Sequence, residues 1–382
     1  MLVRTISLQD YRNVEQAEVH FTDGVNLLVG DNAQGKTNLL EGIYLFALGK
    51  SFRGAKDGEL VRFGADLASL RLDFAAGGRE QSAVMRLTSA ASGRRRAIEL
   101  NRVRLTRTSE LIGNFRAVLF CPEHLSLIKE GPAVRRAYLD IAISQLRPVY
   151  LRALQRYNVI LRERNKLLKV ADAEPRLFRD TIELWSAQLA EQAAVIAPAR
   201  LGYIEAVQKT AAVIFADMTG EREIPDFTYT PGFHLDADRC ADPDAVRAQV
   251  LRLLSSNLER EKAAGSTLWG VHKDDVSINL NGRSARLYGS QGQQRSLALC
   301  MKLAEGEICA AAGEMPVFLF DDVLSELDSA RRAYLTRSLT GRQVIMTTCE
   351  REVFPDEANV IGVERGVYRG FTASAKPKQN PT

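Results

Sequence analysis

Gly30-Asp31-Asn32-Ala33-Gln34-Gly35-Lys36-Thr37 fits GxxxxGK[ST] at every fixed position. Those residue types at that spacing bind phosphate. Glycines let the backbone close around an anion and aim successive N–H groups at it, and a helix start behind the loop adds partial positive charge. The loop from Gly30 to Asn38 is therefore expected to hold a nucleoside triphosphate, with Lys36 on the β- and γ-phosphates and the Thr37 hydroxyl on Mg²⁺. A second element lies far downstream, where Val317 to Phe320 (VFLF) runs straight into Asp321-Asp322. Four apolar residues before an aspartate describe a buried strand that delivers a carboxylate at its C-terminal end, where ligands bind in α/β sheets. Asp321 is expected to hold Mg²⁺, directly or through water, and Asp322 to orient or deprotonate the attacking water. The chemistry is hydrolysis of ATP, with Lys36 and Asp322 as the catalytic pair.

These residues need strands and helices to position them. Residues 2 to 30 read as strands, ending in the apolar run Gly24 to Gly30 (GVNLLVG), and Asn38 to Leu48 reads as a helix. Residues 66 to 107 alternate as strands with a turn at Asn101, and 117 to 122 (AVLFCP) is another buried strand. From Pro132 to about Phe215, Arg, Ala, Leu, Gln and Glu dominate at helical spacing; Tyr150, Leu154, Tyr157, Ile160, Leu161, Leu167 and Leu168 mark one such face. A further helical stretch covers 244 to 264, Asn281-Gly282 signals a hairpin, and a helix is expected over 293 to 312. Thr37 and Asp321 stand 284 positions apart, so a helical insertion between two halves of one α/β P-loop domain is expected.

Composition sets the outer bounds. The chain has 382 residues, 46% apolar and 26% charged, which excludes a mostly disordered chain and a collagen-like fibre. The five cysteines form no CxxC pair, so neither a disulfide framework nor a zinc site is expected. The opening MLVRTISLQDYRN carries charges where a signal peptide has its apolar stretch, and no run of about 18 apolar residues occurs. A cytoplasmic protein without a membrane partner is expected. The net charge of +4 permits an anionic partner without requiring one.

Ser290-Gln291-Gly292-Gln293-Gln294-Arg295 opens the predicted helix some 30 residues before the Asp321-Asp322 strand. It resembles the signature motif of ABC-type ATPases in the form seen in the RecF family. Ser325-Glu326-Leu327-Asp328 resembles the D-loop of that class, and Tyr11-Arg12-Asn13 the opening turn near the adenine. Ser51-Phe52-Arg53, Leu119 to Leu125 (LFCPEHL), Arg135-Arg136 with Leu139-Asp140, Arg164-Asn165 with Leu168, and Gly270 to Asp275 (GVHKDD) match further segments in the family's order. Departures are Val271 for the usual Pro, Lys273 for Arg, and His124 for an acidic residue. The Thr347-Thr348 strand end also lacks a switch histidine.

The resemblance implies an ABC-type head built from 1–125 and 266–370, an inserted helical domain over 126–265 and a disordered tail over 371–382. It adds Arg12, Asn13, Ser290, Gly292, Gln293 and Asp328 to the nucleotide-binding set. It implies an ATP-dependent homodimer in which Ser290 and Gly292 of one copy close over the γ-phosphate held by the other. It further implies sequence-independent binding to gapped or duplex DNA near single-strand/double-strand junctions, RecR and RecO as partners in loading RecA, nucleoid association, and slow hydrolysis through Asp322. Long heptad arms of a structural SMC-type ATPase have no room here, and a protein-only partner is the remaining rival. Candidate DNA contacts are Arg53 and the hairpin arginines Arg94, Arg95, Arg96, Arg102 and Arg104. A second arginine cluster, including Arg135, Arg136, Arg147, Arg152, Arg156, Arg162 and Arg164, lies in the helical region. His272, beside Asp274 and Asp275, is expected to serve structure before chemistry.

Overall fold

The computed structural model describes residues 1–89, 96–220, 222–349 and 358–371. The chain forms two compact units, one from 1–124 with 305–382 and the other from 125–304. Arg94, Arg95 and all of the expected tail over 371–382 except Phe371 lie outside the described residues.

Two six-stranded sheets build the first unit. One is antiparallel, ordered Val14–His20, Leu2–Tyr11, Leu67–Ala76, Arg79–Thr88, Arg96–Leu100, Val103–Leu105. The other is ordered Val367–Phe371, Asn359–Glu364, Val25–Val29, Val344–Thr348, Val317–Phe320, Ala117–Phe120, and is parallel except for its first pair. Its central strands are buried apolar runs, as a sheet covered on both faces requires. The helix Lys36–Leu48 touches Leu67–Ala76 of one sheet and Ala117–Phe120 and Val344–Thr348 of the other. From Leu39 to Leu48 every one of its residues is buried, which explains why its sequence is apolar all round. The strands expected at VFLF and AVLF and the turn at Asn101 stand where the sequence places them.

The second unit carries the helices Pro132–Leu146, Pro148–Lys169, Pro175–Thr219, Pro243–Ser256 and Leu258–Ala264. Four of them open on proline, whose missing N–H costs nothing in a first turn. The helical stretch expected over 244 to 264 breaks at Asn257 into two. Pro175–Thr219 runs for 45 residues with Pro198 inside it, or about 68 Å at the ideal rise.

The expected boundary at 265/266 is corrected to 304/305. The strand Asp275–Leu280 pairs antiparallel with Pro225–Thr230, and the Asn281-Gly282 turn adds Arg283–Ser284 to make a three-stranded sheet. Arg135 grips Asp275 with two bonds of 2.7 and 2.9 Å, fixing this sheet to Pro132–Leu146. Non-local strand pairing leaves no compositional mark, so the helical composition alone set the boundary too early. The segment that carries Ser290 and Gly292 thus belongs to the second unit, and the helix Gln291–Ala311 crosses the boundary. Among the described residues no helix is long and apolar enough to cross a membrane.

Two buried arginines organise this unit. Arg164 donates to Ser186 Oγ, Thr267 Oγ1 and Glu261 Oε2 at 3.0, 2.8 and 2.6 Å. Arg200 donates to the Tyr150 hydroxyl, the Val271 carbonyl, Asp274 and Asp140 at 2.6–3.0 Å. His272 sits beside them, its Nε2 3.0 Å from the Thr267 carbonyl and its Nδ1 2.7 Å from the Tyr157 hydroxyl. A carbonyl only accepts, so the ring proton is on Nε2 and Nδ1 accepts from Tyr157. Burial holds the ring neutral and pushes its pKa down to about 4, with Lys273 and Arg136 adding to the effect. The unfolded ring takes a proton near 6.5 and the folded one resists, so its stabilisation is complete above 6.5 and lost as pH falls towards 4. Thermal midpoints measured from pH 7 to 4.5 should therefore fall more steeply for the wild type than for His272→Gln. Equal slopes would show that His272 does not titrate in this window.

Candidate nucleotide site

The strand Val25–Val29 runs into the loop 30–35, and the helix Lys36–Leu48 leaves it. Gly35 has φ +117° and Ala33 +64°, left-handed values that curl the loop ahead of the helix. A Cβ on Gly30 would lie 2.2 Å from the Val363 carbonyl oxygen, so only glycine lets these strands meet there. The loop is braced from outside by the turn that joins Asn359–Glu364 to Val367–Phe371. Arg365 N donates to Gln34 Oε1 at 2.7 Å, Gly366 N to the Gln34 carbonyl at 2.8 Å, and the Tyr368 hydroxyl to the Gly35 carbonyl at 2.9 Å. Lys36 is buried, and its Nζ donates to the carbonyls of Gly30 and Asp31.

At the first turn of the helix Lys36–Leu48, two strand ends converge. Thr37 Oγ1 donates to Asp321 Oδ1 at 2.8 Å and Thr347 Oγ1 donates to the same oxygen at 2.9 Å. Asp322 N donates to Thr347 Oγ1 at 2.9 Å. Asp322 adopts φ +50°, uncommon for a residue with a Cβ, so the chain turns sharply just past the strand and leaves its side chain exposed. A cavity of about 500 Å³ opens here, lined by every residue from Asp31 to Asn38 and by Asn13, Phe52, Arg53, Glu123, Asp321, Asp322 and Thr347.

The flank of the loop is wired through Glu41, fully buried on the helix. It accepts from Arg12 Nε at 2.8 Å, Arg12 Nη2 at 2.7 Å, the Tyr11 hydroxyl at 3.2 Å, and Ser51 Oγ. Ser51 Oγ in turn accepts from Arg53 N at 3.0 Å, and Arg53 Nη1 donates to Asn38 Oδ1 at 3.1 Å. Asn38 Nδ2 donates to Asn13 Oδ1 at 2.8 Å, and Asn13 Nδ2 to the Gln34 carbonyl at 3.2 Å.

Structure thus brings together Asn13, the loop through Asn38, Arg53, Asp321 and Asp322. Arg12 is corrected: its guanidinium is committed to Glu41 and does not line this cavity. Ser290, Gly292 and Gln293 lie in the second unit and do not line it either. Ser290 caps its helix, its hydroxyl accepting from Gln293 N at 3.2 Å while Gln293 Oε1 accepts from Ser290 N at 2.7 Å. Asp328 caps Ser329–Ser338, accepting from Arg331 N at 2.9 Å. Arg96 is tied to Asp57 and the Gly49 carbonyl, while Arg102 and Arg104 are exposed. Sequence reasoning missed Glu123, Thr347 and the brace of Arg365, Gly366 and Tyr368. Glu123 sits inside the LFCPEHL match, but nothing in the sequence ties a turn near residue 365 to a loop at 34.

The chain matches the family described as RecF/RecN/SMC N terminal domain over residues 2–368. It is similar to the DNA replication and repair protein RecF of Staphylococcus epidermidis, 38% identical over 354 residues, covering 92% of this chain and 94% of that protein. The protein of the same name from Staphylococcus aureus is 37% identical over 351 residues, covering 91% and 93%. Among solved structures, the recombination mediator protein RecF with ATP, in the RecFOR pathway, superposes with a TM-score of 0.90 at 33% identity, over 97% and 98% of the two chains. The Smc head domain from Pyrococcus furiosus shares the fold at a TM-score of 0.56 and 16% identity, over 97% and 96% of the two chains.

Burial raises the Asp321 pKa, and the charges of Glu123 and Asp322 add to the effect, while the Thr37 and Thr347 hydroxyls pull it down. A carboxyl held above its ordinary value binds more protons folded than unfolded, so stability falls as pH rises through the window between those values. At neutral pH, without a cation, Asp321→Asn should raise the melting midpoint. Added Mg²⁺ and ATP should then stabilise the wild type much more than the variant. A lower midpoint for the variant in metal-free buffer would contradict this electrostatic account.

Proposed function

The chain belongs to the RecF family, and from that premise we propose that it is an ATP-driven, DNA-binding switch of recombinational repair. The observation that carries this is the 2.8 Å bond between Thr37 and Asp321, which joins the phosphate loop to the acidic strand at the mouth of one cavity. Lys36 Nζ, resting on loop carbonyls, is in reach to turn to the β- and γ-phosphates, and the loop N–H groups hold the phosphate oxygens.

The donor set also fits Mg²⁺. It offers one hydroxyl and one carboxylate in contact and, among the described residues, no cluster of three or more His, Cys, Asp or Glu to form an all-protein cage. Mg²⁺ takes few protein oxygens and keeps water and phosphate as its other ligands. When bound, it neutralises charge on the β- and γ-phosphates. Thr37 and Asp321 would hold it. Asp322, exposed on the strained turn beyond, orients or deprotonates the attacking water.

Ser290 and Gly292 open the helix Gln291–Ala311, where a hydroxyl and a helix N-terminus suit a γ-phosphate. We assign them to the nucleotide of a second copy, in a head-to-tail dimer with two ATPs. In this reading the closed dimer holds gapped or duplex DNA near single-strand/double-strand junctions and acts with RecR and RecO to load RecA. Slow hydrolysis reopens it. The protein works in the cytoplasm, on the nucleoid. Coupling arises because γ-phosphate contacts across the dimer exist in one state only.

Lys36→Met should weaken ATP binding by about 10- to 100-fold, the worth of charge-assisted bonds to phosphate. It should also abolish ATP-dependent dimerisation measured by light scattering. Normal dimerisation in a variant that keeps its fold would overturn the switch.

A further inference from the structure

Helix Pro148–Lys169 turns two chemically different faces to its surroundings. Tyr150, Tyr157, Ile160, Arg164, Leu167 and Leu168 point into the core of the second unit. The opposite face exposes Arg152, Arg156, Arg162, Lys166 and Lys169. Glu163 is the one acidic residue on this helix, and it takes Lys166 at 2.8 Å. The side chains of Arg152, Arg156 and Arg162 make no hydrogen bond or ion pair among the described residues. The outward face therefore presents five cations against one carboxylate, Glu163, and among the described residues no countercharge meets Arg152, Arg156 or Arg162.

The other arginine cluster differs. Arg96 is fixed to Asp57, Arg86 is paired with Glu99 at 2.6 Å, and Arg104 stands opposite Glu99 in the strand register. That hairpin surface is mixed in sign. A protein-binding face is centred on buried apolar or aromatic anchors. The outer face of Pro148–Lys169 offers only the isolated exposed Val149 and Val159. Arg152 to Lys169 spans about 26 Å of helix axis at the ideal rise. A duplex presents one phosphate per ~3.4 Å of axis on each strand, so such a line can meet several without reading a base.

We propose that the outer face of helix Pro148–Lys169 is a contact surface for the phosphate backbone of duplex DNA, with Arg152, Arg156 and Arg162 as its central contacts. This rests on the DNA-binding reading above and adds the surface that performs it.

The test uses the full chain with ATP and Mg²⁺, a labelled duplex of arbitrary sequence, and fluorescence anisotropy from 50 to 200 mM salt, a range chosen for counterion release. Arg152→Ala/Arg156→Ala/Arg162→Ala should weaken binding by roughly 100-fold near 0.1 M salt. It should also flatten the log–log salt slope by about 2 to 3, close to 0.9 for each phosphate left without its arginine. The matching triple Arg→Lys variant should keep the slope near wild type, which a purely structural role for the arginines would not. ATP-dependent dimerisation and the melting midpoint should be unchanged in both. Wild-type affinity and slope in the alanine variant would overturn the surface while leaving the DNA-binding reading intact. A wild-type chain that binds no duplex would overturn the reading itself, and the surface with it.

Discussion

A carboxylate buried at the end of a strand must find partners, and Asp321 finds them on a neighbouring strand end and on the first turn of the helix Lys36–Leu48. Its partners Thr37 and Thr347 reach it only because Val344–Thr348 lies between Val25–Val29 and Val317–Phe320 in the parallel sheet. That strand order is the constraint on which the site depends. It sets the phosphate loop and the acidic turn one strand apart, with a threonine bridging the gap. The site is also electrostatically incomplete on its own. Burial first, and the charges of Glu123 and Asp322 after it, push the Asp321 pKa up, against the pull of the Thr37 and Thr347 hydroxyls.

Glu41 carries the same logic to the other side of the loop. It is fully buried five residues beyond Lys36, and its ion pair with Arg12 fixes the turn that presents Asn13 to the cavity. Through Ser51 it also sets the backbone of Arg53, whose guanidinium returns to Asn38 on the same helix. The result is a closed circuit of polar contacts around the first turn of the phosphate-binding helix. A buried pair adds little net stability, because desolvation offsets most of the attraction, but it penalises every arrangement that leaves one charge alone. Arg12 therefore holds its place through Glu41, next to the Asn13 that lines the cavity.

Much of the first unit was legible in the sequence because its signals are local. Glycines at required backbone geometries, a four-residue apolar strand before an aspartate, and a lysine-threonine pair at a helix start all announce themselves within eight residues. What escaped was pairing over long separations. The brace from Arg365 and Tyr368 onto Gln34 and Gly35 uses backbone groups, one side-chain amide and one phenol, and such partners carry no motif. The boundary at 304/305 escaped for a related reason. A strand at Asp275–Leu280 looks the same whether it joins the head or, as here, pairs with Pro225–Thr230.

Several matched segments prove to be structural in the helical unit. Arg135 and Arg164 read equally well as DNA contacts or as core residues, since a guanidinium serves either. Their burial decides: Arg164 and Glu261 are both fully enclosed, and Arg135 is spent on Asp275. Asp274 and His272 belong to the same framework, around Arg200 and Tyr157. Each such arginine satisfies partners on separate segments, so a slip in helix register would strand a buried charge, at a cost of several kcal/mol. The same reasoning separates the arginines that remain. A guanidinium already paired has little to gain from a phosphate, whereas an exposed one with no partner keeps its full attraction for an anion. The net charge of +4 averages over these two populations and so describes neither.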